Sequence, residues 1–211
     1  MKLLFEDDDI IVVAKPAGQI VHPAPGHETG SLTEEIVRHF PGIADVGSKE
    51  RPGMVHRLDM DTSGVMVFAK NQSAYLNLRR QFERHQDVKK VYLAVVHGSP
   101  KTRTGTIDSP VGSDHLSAVS HWRILGRHDG IALLEFRIDT GRMHQIRIHA
   151  KELGCPLLGD PLYGDRAADR RLRRRPTRTL LHAVELSFLH PRDGRRVTFA
   201  AEPPDDIIYA G

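Results

Sequence analysis

The chain has 211 residues, 39% of them hydrophobic, and a formal net charge of +3. That supports a substantial core and excludes global disorder, while a single cysteine, Cys155, excludes an internal disulfide framework and fits a reducing compartment. No apolar run approaches the roughly 20 residues of a membrane span, and the start Met1-Lys2-Leu3-Leu4-Phe5-Glu6-Asp7 is too acidic for a signal peptide, so a cytoplasmic protein is expected.

In chain order, the pattern predicts a hairpin from Lys2 to Phe5 and Ile10 to Ala14 across the acidic turn Glu6 to Asp9. An irregular stretch rich in Pro and Gly follows, Pro16 to Gly26. Ser31-Leu32-Thr33-Glu34 is a capping box for a helix ending near Phe40, ahead of Pro41-Gly42. Gly64 to Lys70 is apolar almost throughout and predicts a central strand covered on both faces. A helix is predicted from Asn71 to about Gln86, with Tyr75, Leu78 and Phe82 inward and Leu76, Arg79, Arg80 and Glu83 outward. Strands follow at about Lys90 to Val96, Thr104 to Ser109, Ala118 to Leu125 and Ile131 to Ile138. A helix then runs from Arg142 to Leu153, closed by Gly154, with Met143, Ile146, Ala150 and Leu153 as its apolar stripe and Arg147 at the edge. Between Arg166 and Arg178 seven arginines face one acid, Asp169, and two further strands lie near Thr179 to Phe188 and Arg195 to Ala200. Many strands on short turns predict an α+β fold with a largely antiparallel sheet. Neither an internal repeat nor a dividing linker is visible.

The richest segment is His56-Arg57-Leu58-Asp59-Met60-Asp61-Thr62-Ser63-Gly64. Hydroxyls and carboxylates that bond their own backbone build turns, which accounts for Asp61, Thr62 and Ser63. Alternation sends Val55, Arg57 and Asp59 to one face, and residue type alone leaves open whether Asp59 is structural or catalytic.

HRLDMDTSG resembles the signature of the RluA family of RNA pseudouridine synthases. Four other stretches resemble family motifs in the family's order: KPAGQIVHP (Lys15 to Pro23), KKVYLAVVHG (Lys89 to Gly98), TGRMHQIRIHAKELGCPLLGDPLYG (Thr140 to Gly164) and LLHAVELSFLHP (Leu180 to Pro191). Met143 departs from the pattern where Thr is expected, a change of packing rather than chemistry. The resemblance implies a central mixed, largely antiparallel sheet flanked by helices with an active-site cleft. The expected organisation is one catalytic domain over residues 1–211, without the small N-terminal RNA-binding domain that many relatives carry.

The same resemblance makes Asp59 the catalytic residue, pairs Arg147 with it, and gives Tyr92 the stacking of the target base and a part in proton transfer. Taken from the helix alone, an arginine beside an apolar stripe needs some buried acid, with its identity open. Leu181 is the expected apolar wall opposite Tyr92. The family's match to Arg57 enters the RNA where the target uridine has left its stack, a phosphate contact being the plainer alternative, and His56 either orients the turn or bonds the RNA. Arg171, Arg173, Arg174 and Arg175 are expected to meet RNA, since the guanidinium fork suits phosphates and bases; a solvated loop is the competing reading.

The expected activity is therefore isomerisation of uridines in ribosomal or transfer RNA, by a monomer needing no cofactor, no metal, no DNA and no membrane. Thirteen histidines do not argue for zinc: His144 and His149 are five apart and fall on different helix faces. An inactive RNA-binding or ribosome-assembly protein of the same fold is the alternative, weakened by the presence of all of Asp59, Tyr92 and Arg147. A metal-dependent nuclease built on His56, Asp59 and Asp61 lacks a further carboxylate cluster. Cys155, between Gly154 and Pro156, is expected as a small buried filler.

Overall fold

The computed structural model describes residues 1–85, 87–112 and 114–208. The elements in chain order are β1 (Lys2–Glu6), β2 (Ile10–Lys15), α1 (Leu32–His39), β3 (Gly47–Ser48), β4 (Arg51–Pro52), β5 (Ser63–Ala69), α2 (Gln72–Arg84), β6 (Lys89–His97), β7 (Thr104–Asp108), β8 (Val119–His128), β9 (Ile131–Ile138), α3 (Gln145–Glu152), α4 (Arg166–Asp169), β10 (Leu181–Leu189), β11 (Arg196–Ala200) and α5 (Asp205–Ile208). The fold is α+β with a mostly antiparallel sheet and few helices, as expected. Two compact units divide it, Met1–Val88 with Glu185–Ala201, and Lys89–Val184 with the described residues from Glu202 on.

In the first unit the strand order is β1-β2-β5-β10, with β11 paired to β10. The hairpin of β1 and β2 forms where the pattern places it, and β2 runs antiparallel to β5 from Ile10↔Ala69 to Lys15↔Gly64. Every residue of β5 is buried, which is why that run shows no alternation. Ser31 caps α1 in a complete capping box, and Leu32 and Ile36 are fully buried. Asn71 accepts the Ala74 amide to start α2, which packs on β5 and buries Ala74, Leu78 and Phe82. Tyr75, expected inward, is only half-buried, and Gln86, the expected end of this helix, lies outside the described residues.

In the second unit the order is β10-β6-β9-β8-β7. Alternation along β6 sends Tyr92, Ala94 and Val96 to a core shared with Trp122, Leu134, Phe136, Ile146, Ala150, Leu157 and Leu181. Leu93 and Val95 face a second core with Ile131, Leu158, Leu180 and Ile207. An antiparallel hairpin pairs β7 with β8, Thr104↔Arg123 to Asp108↔Val119; Ser113 lies outside the described residues.

The largest departure is at α3. Its first turn is missing because His144 takes a left-handed φ of 57°, and Gln145 N donates to Arg142 O at 3.2 Å in a turn. Met143 therefore leaves the apolar stripe and is 67% exposed. The other end forms as expected: Gly154 has φ 73°, its N donates to Lys151 O, and Cys155 N reaches Ala150 O, a Schellman closure. Cys155 is buried, and burial pushes its thiol up, as fits a filler.

Lys90, just inside β6, is a buried cation whose Nζ donates to Thr140 O at 2.9 Å. Burial pushes its pKa down to about 8; Asp139 opposes that shift and Arg142 adds to it. Lys90→Met should therefore raise stability at pH 7 by roughly 2 kcal/mol, from about 1.4 kcal/mol per unit of relieved shift less about 1 kcal/mol for the hydrogen bond. Since the folded-state value lies below the ordinary 10.5, wild type loses stability as pH falls from about 10.5 to 8 and no further below. The advantage of the variant should accordingly vanish near pH 10; melts showing an equal gap at pH 7 and 10 would remove buried charge as its cause.

Candidate active site

The first unit holds the segment His56–Gly64, which follows β4 and runs into the start of β5. Leu58 is buried, Arg57 is exposed, and Asp59 is half-buried. Three observations explain why the turn is rigid. Lys15, 2% exposed at the end of β2, points its Nζ at Met60 O (2.8 Å), Gln19 O (2.6 Å) and Pro16 O (2.9 Å). Gly18 N adds a second donor to Met60 O at 3.0 Å, and Thr62 N closes back onto Asp59 O at 3.1 Å. His56 completes the frame, with Nε2 accepting the Val67 amide at 3.1 Å and its ring stacked on Phe82 at 4.5 Å and 10°. A nitrogen that accepts an amide proton carries none of its own, so this edge of the imidazole is committed to the backbone of β5.

His22, in the neighbouring loop, has its pKa pushed down by burial and then by the charges of Arg51 and Arg57. No role for Lys15 or His22 follows from their sequence surroundings alone. Lys15 is marked there only as a lysine closing an otherwise apolar strand directly before a proline.

The second unit brings together Tyr92, Leu181 and the residues around Arg147. Tyr92 packs against the core that contains the buried Leu181, Ile146 and Ala150. Arg147, beside the apolar stripe of its helix, is 6% exposed. Its Nε donates to Asp160 Oδ2 at 2.7 Å and its Nη2 to Asp160 Oδ1 at 2.8 Å, a bidentate pair with the carboxylate fully buried. Burial alone would push the Asp160 carboxyl up; the Arg147 hydrogen bonds, the amides of Tyr163 and Leu162 and the Arg147 charge together hold it below the ordinary range. Asp160 lies inside the motif noted above but had no assigned role, because a carboxylate in Gly-Asp-Pro reads locally as a turn former.

The arginine run separates into two kinds. Arg178 is committed to Asp206, Nε to Oδ2 and Nη2 to Oδ1, both at 2.7 Å. Arg170, Arg171, Arg173, Arg174 and Arg175 are exposed beyond the short helix α4, which Asp165 caps. Asp169, the single acid of the run, is turned to His97 Nε2 at 2.8 Å and the Gly159 amide at 3.2 Å.

Among the described residues, Asp7, Asp9 and His190 have the spacing of a metal-ligand group. They carry hydrogen bonds within the protein: Arg192 Nε reaches Asp9 at 2.6 Å, Asn71 donates to its other oxygen at 2.8 Å, and Asp7 accepts two backbone amides at 2.9 Å as well as bonding His190. This is a hydrogen-bonded knot joining the β1–β2 turn to the segment after β10. No helix among the described residues is long and apolar enough to cross a membrane.

Residues 9–152 match the model of a family described as RNA pseudouridylate synthase. The chain is 39% identical over 219 residues to an uncharacterized RNA pseudouridine synthase of Synechocystis sp., covering 97% of this chain and 66% of that protein. It is 37% identical over 225 residues to ribosomal large subunit pseudouridine synthase D of Zymomonas mobilis, covering 98% and 70%. Among solved structures, human RNA pseudouridylate synthase domain containing 1 aligns with a TM-score of 0.74 at 25% identity, covering 97% of this chain and 83% of that one. The human domain containing 4 shares the fold, with a TM-score of 0.80 at 24% identity over 98% and 90% of the chains. The chain belongs to the RNA pseudouridine synthase family, a class of isomerases, and within it to the RluA branch that its motifs resemble. It spans 66% and 70% of the length of the two curated relatives named here.

Proposed function

We propose that the chain isomerises specific uridines to pseudouridine in structured RNA, with large-subunit ribosomal RNA as the first candidate and transfer RNA the second, acting as a monomer in the cytoplasm. The observation that carries the reading is the family match over residues 9–152, which takes in the Asp59 turn, the Tyr92 strand and the Arg147 helix. A relative named for the large ribosomal subunit supports the order of candidates.

In this reaction the N1–C1′ bond breaks, the uracil turns, and a C5–C1′ bond forms. The hydrogen on C5 leaves as a proton and N1 takes one up, so atoms and electrons balance without a redox partner. Asp59 is the carboxylate that acts at C1′ of the ribose or C6 of the base; carboxylates form covalent sugar intermediates in other glycosyl chemistry. The rigid turn around it suits that task, because a nucleophile held in place needs little reorganisation. Tyr92 stacks on the target base and moves a proton, Leu181 walls the base, and Arg147 supplies fixed positive charge. Arg57 occupies the place the uridine leaves in the RNA stack. Arg171, Arg173, Arg174 and Arg175 meet RNA phosphates.

Tritium release from RNA labelled at uridine C5 tests the activity directly, since forming the C5–C1′ bond expels that hydrogen. RNA binding without release would favour an inactive RNA-binding protein, and strand cleavage without release a nuclease. The phosphate role is separable. Replacing Arg173, Arg174 and Arg175 by Gln should lower the slope of log K against log salt by about two units, at roughly 0.7 per single-strand contact. An unchanged slope and KM would leave these side chains as a solvated loop.

A further inference from the structure

We propose that Asp160, with Tyr163 beside it, is a positioning residue that fixes the Arg147 guanidinium for the reaction; this rests on the reading of the chain as a pseudouridine synthase. Asp160 is 1% exposed and spends both oxygens, Oδ2 on Arg147 Nε and Oδ1 on Arg147 Nη2, Leu162 N and Tyr163 N, at 2.7 to 3.0 Å. A two-point fork of this kind sets the plane of a guanidinium as well as its place. The Tyr163 ring lies under the same group, 5.2 Å from Cζ to the ring centroid, and its Oη is 3.2 Å from Nδ1 of His144, the residue that opens α3. One short turn thus grips Arg147 on two sides and also holds the head of the helix that carries it.

The turn is itself over-determined. Gly159 has φ 69°, and a Cβ there would collide with Arg178 O; a Cβ on Gly164 would collide with Asp160 O. Nothing about anchoring α3 requires an ion pair in addition. Ile146 and Ala150 lie in the core, and the buried Gln145 side chain bonds Thr140, Arg142, Val119 and Ser120 at 2.7 to 3.0 Å. A buried pair is a weak source of net stability compared with apolar packing, whereas it is an effective way to hold one charge in one orientation.

The test is the kinetics of C5 tritium release for Asp160→Asn, Arg147→Lys and the double variant, each with a thermal melt. Asp160→Asn should lower kcat about 100-fold, the scale of a misplaced catalytic group, and leave KM within about twofold. Added to Arg147→Lys, which already lacks the fork, it should cost at most about a further twofold in kcat. Tyr163→Leu, which leaves the ion pair in place, should lower kcat by roughly tenfold with KM unchanged, and it decides the matter if Asp160→Asn does not fold. A lower melting temperature with kcat unchanged in the folded variants, or losses that multiply in the double variant, overturns the positioning role while wild-type activity keeps the functional reading intact. Absence of tritium release from wild type overturns both.

Discussion

Asp59→Asn should leave a folded protein that binds RNA and releases no measurable tritium from uridine C5. The amide is nearly isosteric with the carboxylate, and the turn is held through backbone atoms, Met60 O by Lys15 and Gly18 and Asp59 O by Thr62 N. The substitution therefore takes away charge and nucleophilicity while leaving those backbone contacts in place. Affinity for RNA should change less than about threefold, because removing one contact among many in a nucleic-acid interface is a small fraction of its free energy. Losing the nucleophile should lower kcat by several orders of magnitude, as in other enzymes that use covalent catalysis. Release at even a tenth of the wild-type rate would remove Asp59 from the reaction and shift attention to Asp61, two residues on.

Arg147→Met should be the most destabilising single change near the site, by about 3–5 kcal/mol, because it strands a buried carboxylate rather than merely deleting a pair. For a chain of this size that is a fall in Tm of roughly 10 °C. The loss should depend on pH in a definite direction. In wild type the Asp160 pKa is depressed, so its stabilisation is present at neutral pH and lost as pH falls through the carboxylate range. Without Arg147, burial dominates and raises that pKa, so the penalty of the ionised form disappears as the group protonates in acid. The gap between variant and wild type should therefore be widest near pH 7 and shrink toward pH 4. Adding Asp160→Asn, which removes the stranded charge and keeps an acceptor for the amides of Leu162 and Tyr163, should recover much of the loss. Melts that show no gap, or one that is flat with pH, would make the pair energetically idle.

Local signals in the sequence predict much of the fold. The β1–β2 hairpin, the capping box of α1, the fully buried β5 and the span of β9 follow from period, turn residues and caps, which act within a few residues. The start of α3 does not, because nothing local marks the left-handed conformation at His144. That conformation is fixed by Gln145 bonding Val119 and Ser120, more than twenty residues away. The same limit governs the site. Asp59 and Tyr92 stand out through their motifs, but the burial of Asp160 on Arg147 and of Lys15 on Met60 depends on tertiary partners. Arg147 is legible as an arginine in need of a buried acid, and Asp160 is one acid it meets.

The interleaving of the two units bears on how the protein is made. Neither is a continuous stretch: the first needs Glu185–Ala201 beside residues 1–88, and the second needs residues beyond Ala201. On the ribosome, the segment carrying Asp59 emerges early, yet β10 and β11 reach it only after nearly all of β6 to α4 has been synthesised. The first 88 residues must wait with the fully buried strand β5 lacking its β10 neighbour, which is the condition that invites chaperone binding and misassociation. Synthesis of β10 and β11, rather than emergence of the early half, is then the event that allows the first unit its native structure, and truncation just before β10 should yield an aggregating fragment instead of half an enzyme.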